Sequence, residues 1–164
     1  METAQRIPIE ALQVADIFAG IPDSYLEQIA KCCAKRTYRA GDYCAMQGKT
    51  PDYVVIVNDG KLGIEMRVDT PRYSHNVITG TLTKGRVGAW SALVPPFVLP
   101  ASLKCLEDSD IISIKTSDLQ RIFKENPAVE AMVMRNLAVV IGSRLKDCHA
   151  KLGNLIAELI KLAS

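Results

Sequence analysis

The side chains in this sequence that could carry redox, metal or nucleophilic chemistry are five cysteines and two histidines. They are Cys32, Cys33, Cys44, Cys105 and Cys148, with His75 and His149. No two cysteines have the CxxC spacing typical of zinc and redox sites, and neither histidine stands at ligand spacing from a cysteine pair. We therefore expect free thiols in a reducing compartment, with no metal and no cofactor.

The remaining composition does not indicate catalysis. The sequence has no nucleophile, base and orienting group at a useful spacing and no phosphate-binding glycine loop, so we expect a protein that is not an enzyme. Its 20 basic and 18 acidic residues leave a net charge of +2, too balanced to predict binding to nucleic acid. We see no membrane-spanning apolar run and no secretory signal, and we expect a cytoplasmic protein without a membrane partner.

The elements that position these residues change in type along the chain. Pro22 precedes a helical pattern through Leu26 and Ile29, and we place Cys32 and Cys33 on this same helix, where one of them fills the core. Between residues 36 and 116, short runs rich in Val, Ile, Thr and Tyr alternate with glycine turns. The predicted strands are 52–57, 61–68, 77–83, 101–106 and 110–115.

Two connections of this region have their own signals. Asn58-Asp59-Gly60 is a strong turn signal after the β-branched run 52–57. The polar stretch 69–76 is read as a hairpin connection that contains His75. About eight short strands with regular turns predict a mainly β jelly roll, or double-stranded β-helix, flanked by N-terminal helices.

A long helix is predicted from Pro127 to Lys161, about 50 Å at 1.5 Å per residue. It carries a heptad seam with apolar residues spaced by four and three. The seam residues are Met134, Ala138, Ile141, Leu145, Cys148, Leu152, Leu155 and Leu159. A stripe buried on the helix's own domain is the alternative, but the seam is longer than such packing needs. We therefore predict a homodimer through this helix, with a higher oligomer left open.

The order and spacing of many short motifs resemble the cyclic-nucleotide-binding domains of the catabolite activator type over nearly the whole chain. These motifs are Ile17-Phe18-Ala19-Gly20, Tyr38-Arg39-Ala40-Gly41-Asp42, Gln47-Gly48, Asn58-Asp59-Gly60, Gly85 with Gly88, Glu107-Asp108-Ser109, Asn126-Pro127, Arg144-Leu145 and Lys151-Leu152-Gly153-Asn154-Leu155. The resemblance implies a cyclic-nucleotide-binding-like β-roll over 1–126 and a dimerisation helix over 127–164.

The resemblance also implies a phosphate cassette, and here the sequence departs from the family. In the family, Gly-Glu opens the cassette, the Glu accepts from the ribose hydroxyl, and an Arg ten residues later neutralises the phosphate before Ser or Thr and Ala. Gly88 and Ala101 are kept, but Ala89, Leu99 and Pro100 stand at the Glu, Arg and Ser or Thr positions. Leu99 offers no cation and Pro100 no N–H. We therefore predict that the chain does not bind cyclic AMP in the usual way.

The candidate ligand-binding residues come from this cassette and from the long helix, where the family usually contacts the adenine. They are Val87, Gly88, Ala89, Trp90, Leu99, Pro100, Ala101, Cys148 and His149. The apolar cassette favours an apolar or aromatic effector. Alternatively, Trp90 and Phe97 fill the roll, Cys148 belongs only to the seam and His149 faces solvent. The nearest bases, Lys84, Arg86 and Lys104, are expected to face solvent.

Three functions fit these patterns. The first is an intracellular sensor or regulatory domain, dimeric, that reads a small molecule. The second is an assembly module without a ligand. The third is the sensor part of a catabolite-activator-like transcription regulator that lacks its DNA-binding domain, since the sequence ends at Ser164, where the hinge would begin. An internal cavity behind Trp90 and Leu99 would favour the first function over the second.

Overall fold

The computed structural model describes residues 2–3 and 7–163, and these form two antiparallel sheets with helices around them. In chain order the strands are β1 (Glu2–Thr3), β2 (Cys33–Tyr38), β3 (Tyr43–Ala45), β4 (Tyr53–Asp59), β5 (Leu62–Asp69), β6 (Ser74–Leu82), β7 (Val87–Gly88), β8 (Ser102–Cys105) and β9 (Ser109–Lys115). One sheet has the order β1-β2-β9-β4-β7 and the other β3-β8-β5-β6. The predicted jelly-roll fold is confirmed.

The helices flank the roll at both ends of the chain. They are α1 (Ile9–Gln13), α2 (Asp23–Ala30), α3 (Thr116–Glu125) and α4 (Pro127–Ala163), with short 3-10 turns at Asp16–Phe18 and Trp90–Ala92. The predicted N-terminal helices and the long C-terminal helix are thus confirmed. Within residues 2–3 and 7–163, no helix combines the length and apolar character that crossing a membrane requires.

The continuous β-branched run of β4 is buried on both faces, as such runs usually are. Because successive side chains point to opposite faces of a strand, Val54 and Ile56 pack with the helices, whereas Val55 and Val57 pack inside the roll. The roll therefore has two cores that share one sheet. After β4, Gly60 adopts φ +88°, and a Cβ there would lie 2.4 Å from the Ser109 Oγ. Only glycine fits this turn.

Two predicted placements are wrong. Cys32 and Cys33 do not lie on the first helix, because α2 ends at Ala30 and Cys33 opens β2, paired with Ile114 of β9. The ladder to β9 overrides the local helical pattern. His75 does not lie in a connection either: it lies in β6 and pairs with Val68.

The second misplacement has a visible cause. The hairpin strands β5 and β6 extend to Asp69 and Ser74, which leaves only residues 70–73 as the connection. The polar side chains at this end bond to one another. Arg67 Nη2 donates across the strands to Ser74 Oγ at 3.1 Å, and Arg67 Nε lies 3.0 Å from Asp69 Oδ1 on its own strand. A polar sequence therefore continues as a strand.

The first half of α4 packs into the same core as the N-terminal segment. Val129, Val133, Leu137 and Val140 are buried, and Asn136 Nδ2 donates to the carbonyls of Ile17 and Ala19 at 3.1 and 2.8 Å. The predicted seam lies on another face of the helix. Of its members, Met134 and Ile141 are half-buried and Ala138, Leu145, Cys148, Leu152, Leu155 and Leu159 are exposed.

Candidate ligand pocket

A cavity of about 500 Å³ lies between the roll, the cassette and α4. Its roll side carries no charged side chain and is mainly apolar, with hydroxyl groups from Thr79, Thr81 and Ser91. The other residues of this wall are Ile64, Gly80, Ala89, Trp90, Leu99, Pro100, Ala101 and Leu103. The opposite wall is one face of α4, formed by Arg144, Asp147, Cys148, Ala150, Lys151 and Asn154. The volume of the cavity falls within the range of about 300–1,000 Å³ that is typical of small-molecule sites.

The pocket brings together most of the residues that the sequence indicated as ligand-binding. Its lining includes Ala89, Trp90, Leu99, Pro100, Ala101 and Cys148. Val87 and Gly88 lie just beside it in β7, paired with Ile56 and Val55 of β4. His149 is exposed and is not one of the lining residues.

The two aromatic residues of the cassette differ in their environment. Trp90 is half-buried and lines the pocket. Phe97 has φ +59° and is 39% exposed, and it lies outside this pocket. The alternative interpretation of the sequence placed Phe97 inside the roll as core filling, and for Phe97 this interpretation is wrong.

The positions that carry charge in the family are occupied here by buried apolar side chains. Ala89 and Leu99 belong to the core inside the roll, together with Val55 and Leu103. The backbone of Leu99 is fixed as well, because its N–H donates to the carbonyl of Lys49 at 2.9 Å. On the cassette side, the described lining therefore offers no charged group to a phosphate.

The three bases considered from sequence do not line the pocket. Arg86 Nη1 lies 3.8 Å from Asp16 Oδ2, and Lys104 Nζ lies 3.5 Å from Glu65 Oε2. Lys84 is exposed. The expectation of solvent exposure is too simple for Lys104, because its ammonium also lies 5.4 Å from the centroid of the Tyr43 ring.

Two cations that the sequence analysis did not assign to the site come instead from α4. Arg144 Nη2 donates to the carbonyl of Val87, and Lys151 Nζ donates to the carbonyl of Thr79. Both side chains line the pocket, as does Asp147 between them. The signal was present: Arg144, Cys148 and Lys151 are spaced by four and three, which places them on one helical face.

The environment of Arg144 links three segments of the chain. Burial lowers the pKa of the Arg144 guanidinium, the nearby Asp16 carboxylate opposes this shift, and Arg86 adds to it. Burial also raises the pKa of Asp16. The N–H of Val87, which donates to Asp16 Oδ1 at 3.1 Å, and the charges of both arginines lower it and so oppose this rise. The peptide of Val87 is thus held by Asp16 on one side and by Arg144 on the other.

Within residues 2–3 and 7–163, no group of three or more His, Cys, Asp or Glu side chains is placed to hold a metal ion.

Comparison with known proteins identifies the family. The sequence model described as "Cyclic nucleotide-binding domain" matches residues 35–126, more than half of the chain. The chain belongs to the cyclic nucleotide-binding domain family. The family is one of regulatory domains, and no curated protein sequence matches the chain.

Solved structures agree with this fold. A cyclic nucleotide-binding domain from Methylobacillus flagellatus is similar with a TM-score of 0.74 and 10% identity, over 87% of this chain and 79% of that one. The N-terminal domain of a transcriptional regulator from Streptomyces coelicolor has a TM-score of 0.67 at 18% identity, over 81% and 93%. Thermus thermophilus catabolite activator protein has 0.67 at 19%, over 86% of this chain but only 63% of its own.

Proposed function

We propose that this domain is a dimeric regulatory sensor that reads an apolar or aromatic small molecule in the pocket between the roll and α4. The observation that carries the proposal is the cavity of about 500 Å³ bounded by Trp90 and Leu99 on the roll side. An assembly module without a ligand has no need of such a cavity. Burial of an apolar effector there is the interaction that this lining favours.

The cassette argues against a cyclic nucleotide as the usual ligand. Ala89, Leu99 and Pro100 remove the ribose acceptor, the phosphate cation and one backbone donor together. Loss of a buried charge partner costs about 3–5 kcal/mol, which corresponds to roughly two to four decades in affinity. Cyclic AMP and cyclic GMP are therefore expected to bind in the millimolar range at best.

The exposed side of α4 supports the dimer. From Leu145 onward the seam residues Leu145, Cys148, Leu152, Leu155 and Leu159 are all exposed, and they keep the heptad spacing. A seam of this kind is complementary to a second copy of itself. We propose a parallel pair of α4 helices as the interface.

Binding of an uncharged fluorescent probe tests the pocket. N-phenylnaphthylamine should bind with increased fluorescence, and Ala150→Trp should abolish its binding because Ala150 lines the cavity on an exposed helical position. Ala157→Trp is the matched control: Ala157 is also exposed, occupies the same heptad position and lies outside the lining. Equal binding by both variants would contradict the proposed site.

Calorimetry with both cyclic nucleotides tests the reading of the cassette. Micromolar binding by the wild-type chain would contradict it. The triple variant Ala89→Glu, Leu99→Arg, Pro100→Ser should gain nucleotide affinity, because it restores the acceptor, the cation and the donor. If the triple variant folds without gaining affinity and the wild type also fails to bind the uncharged probe, the chain is an assembly module.

A further inference from the structure

We infer that the ligand of this pocket is an apolar monocarboxylic acid whose carboxylate is held by Arg144 and Lys151 of α4 while its apolar body lies against the roll. The inference rests on the proposed function, since it names the ligand class of the same pocket. The juxtaposition that carries it is two cations on one helical face opposite an apolar wall.

The charged side chains of the described lining all come from α4. They are Arg144, Asp147 and Lys151, and their formal charges sum to +1. A single negative charge would balance this wall, whereas a dianion would leave an excess. Apolar body and anionic group must also be at opposite ends of the ligand, because the roll side carries Trp90 and Leu99 and no charge.

The two cations are already placed to change partners. Arg144 and Lys151 each donate to a main-chain carbonyl, of Val87 and Thr79 respectively, at two edges of the pocket. A carboxylate is a stronger acceptor than a neutral carbonyl for such donors, and the partial burial of Arg144 strengthens the attraction further. The acid would thus replace contacts that hold α4 to the roll.

This arrangement reverses the polarity that the resemblance implies. In the family, the roll binds the phosphate of the nucleotide through the cassette, and the long helix contacts the adenine. Here Ala89 and Leu99 make the roll side apolar, and the helix supplies the cations. A ligand would therefore enter with its charged end toward α4.

A matched pair of competitors tests the inference: naphthoate, which carries a carboxylate, and naphthamide, which has nearly the same shape without charge. Both are titrated against bound N-phenylnaphthylamine. The acid should compete about tenfold to a hundredfold better than the amide, the range expected for hydrogen bonds to a charged group. Arg144→Met and Lys151→Met should each reduce this preference while the amide's affinity stays within about twofold.

Two further variants separate charge recognition from structural damage. Lys146→Met removes a cation from an exposed position of the same helix that does not line the pocket, and it should leave the preference unchanged. Asp147→Asn removes the one anion of the lining and should raise the affinity for naphthoate but not for naphthamide. Because Lys151 is exposed, Lys151→Met should fold, and it can therefore test the preference for the acid even if Arg144→Met fails to fold.

The outcomes distinguish the two proposals. Equal competition by acid and amide in the wild type overturns the inference and leaves the pocket intact. A preference for the acid that neither Lys151→Met nor Asp147→Asn changes overturns it as well, because groups outside this lining would then recognise the charge. If the fluorescent probe N-phenylnaphthylamine itself does not bind, the proposed function fails rather than this inference.

Discussion

The two halves of α4 contain similar apolar side chains but place them in opposite environments. In residues 127–144, Val129, Val133, Leu137 and Val140 are buried against the chain's own core. In residues 145–163, Leu152, Leu155 and Leu159 are 54–65% exposed. One continuous helix therefore begins as a part of the domain core and continues beyond it.

This contrast indicates what each half of α4 packs against. The first half is stabilised by the N-terminal segment and the roll, to which Asn136 and Arg144 also bond. Beyond Arg144, the face of the helix that lines the pocket carries Asp147, Lys151 and Asn154. Nothing in the described chain covers the apolar face of the second half. A partner from outside the chain is the interaction that its heptad spacing favours.

The same substitution in the two halves should therefore give different failures. Leu137→Asp places a carboxylate in the core and should prevent stable folding, since burying an unpaired charge is among the most destabilising changes. Leu152→Asp should leave the roll folded and convert the dimer to a monomer. Sedimentation and circular dichroism measure both. A wild-type chain that is monomeric at high micromolar concentration would contradict the dimer.

Truncation to alanine should give the same contrast in graded form. Leu137 is 2% exposed, so Leu137→Ala should lower the free energy of unfolding by about 2–5 kcal/mol. Leu152→Ala should change the unfolding of the isolated domain by less than about 0.5 kcal/mol. Denaturant unfolding of both variants in a Leu145→Asp monomer background measures the difference. Similar losses at the two positions would mean that the second half also packs on its own chain.

The roll was predictable because its signals are local and agree with one another. The β-branched run of β4, the turn at Gly60 and the strand β9 each combine a side-chain pattern with a glycine or polar stop. The misplacements arose where pairing across strands decides the structure. Cys33 joins β2 through its pairing with Ile114, and His75 joins β6 through Val68. Neither partner is visible from neighbouring residues.

The pocket was half predictable for a similar reason. The resemblance located Ala89, Leu99 and Cys148, which the structure brings to one cavity. Arg144 and Lys151 entered the sequence analysis only within the motifs of the resemblance, since the spacing of a heptad shows which residues share a face but not what that face meets. Their contacts with Val87 and Thr79 depend on how α4 lies across the roll.

Oxidative crosslinking tests the register of the two α4 helices in the proposed dimer. In a parallel pair, Cys148 of one α4 helix would face Cys148 of the other. Mild oxidation should then give a covalent dimer that Cys148→Ser abolishes. The other four cysteines are buried or half-buried, so they provide the internal control. A crosslink carried by any of them, or no crosslink at all, would contradict the parallel register.

The smallest expected effect comes from a glycine in the second half of α4. Gly153 lies mid-helix, and a Cβ there meets no atom within 4 Å in the described chain. In the heptad assigned from Leu152, it also lies on the side away from the partner. Gly153→Ala should therefore stabilise the helix by about 1 kcal/mol through helix propensity alone.

Because the second half of α4 is ordered by its partner in this proposal, the gain should appear as tighter dimerisation. The roll itself should be unaffected. Because each of the two helices in the dimer gains about 1 kcal/mol, the dissociation constant measured by dilution should fall about thirtyfold. Gly60→Ala is the contrasting variant, since φ is +88° and its Cβ would collide with the backbone of Asp108 at 2.7 Å, and it should destabilise the roll. If Gly153→Ala instead weakens the dimer, the helices approach each other on that side and the seam assigned through Leu152 is wrong.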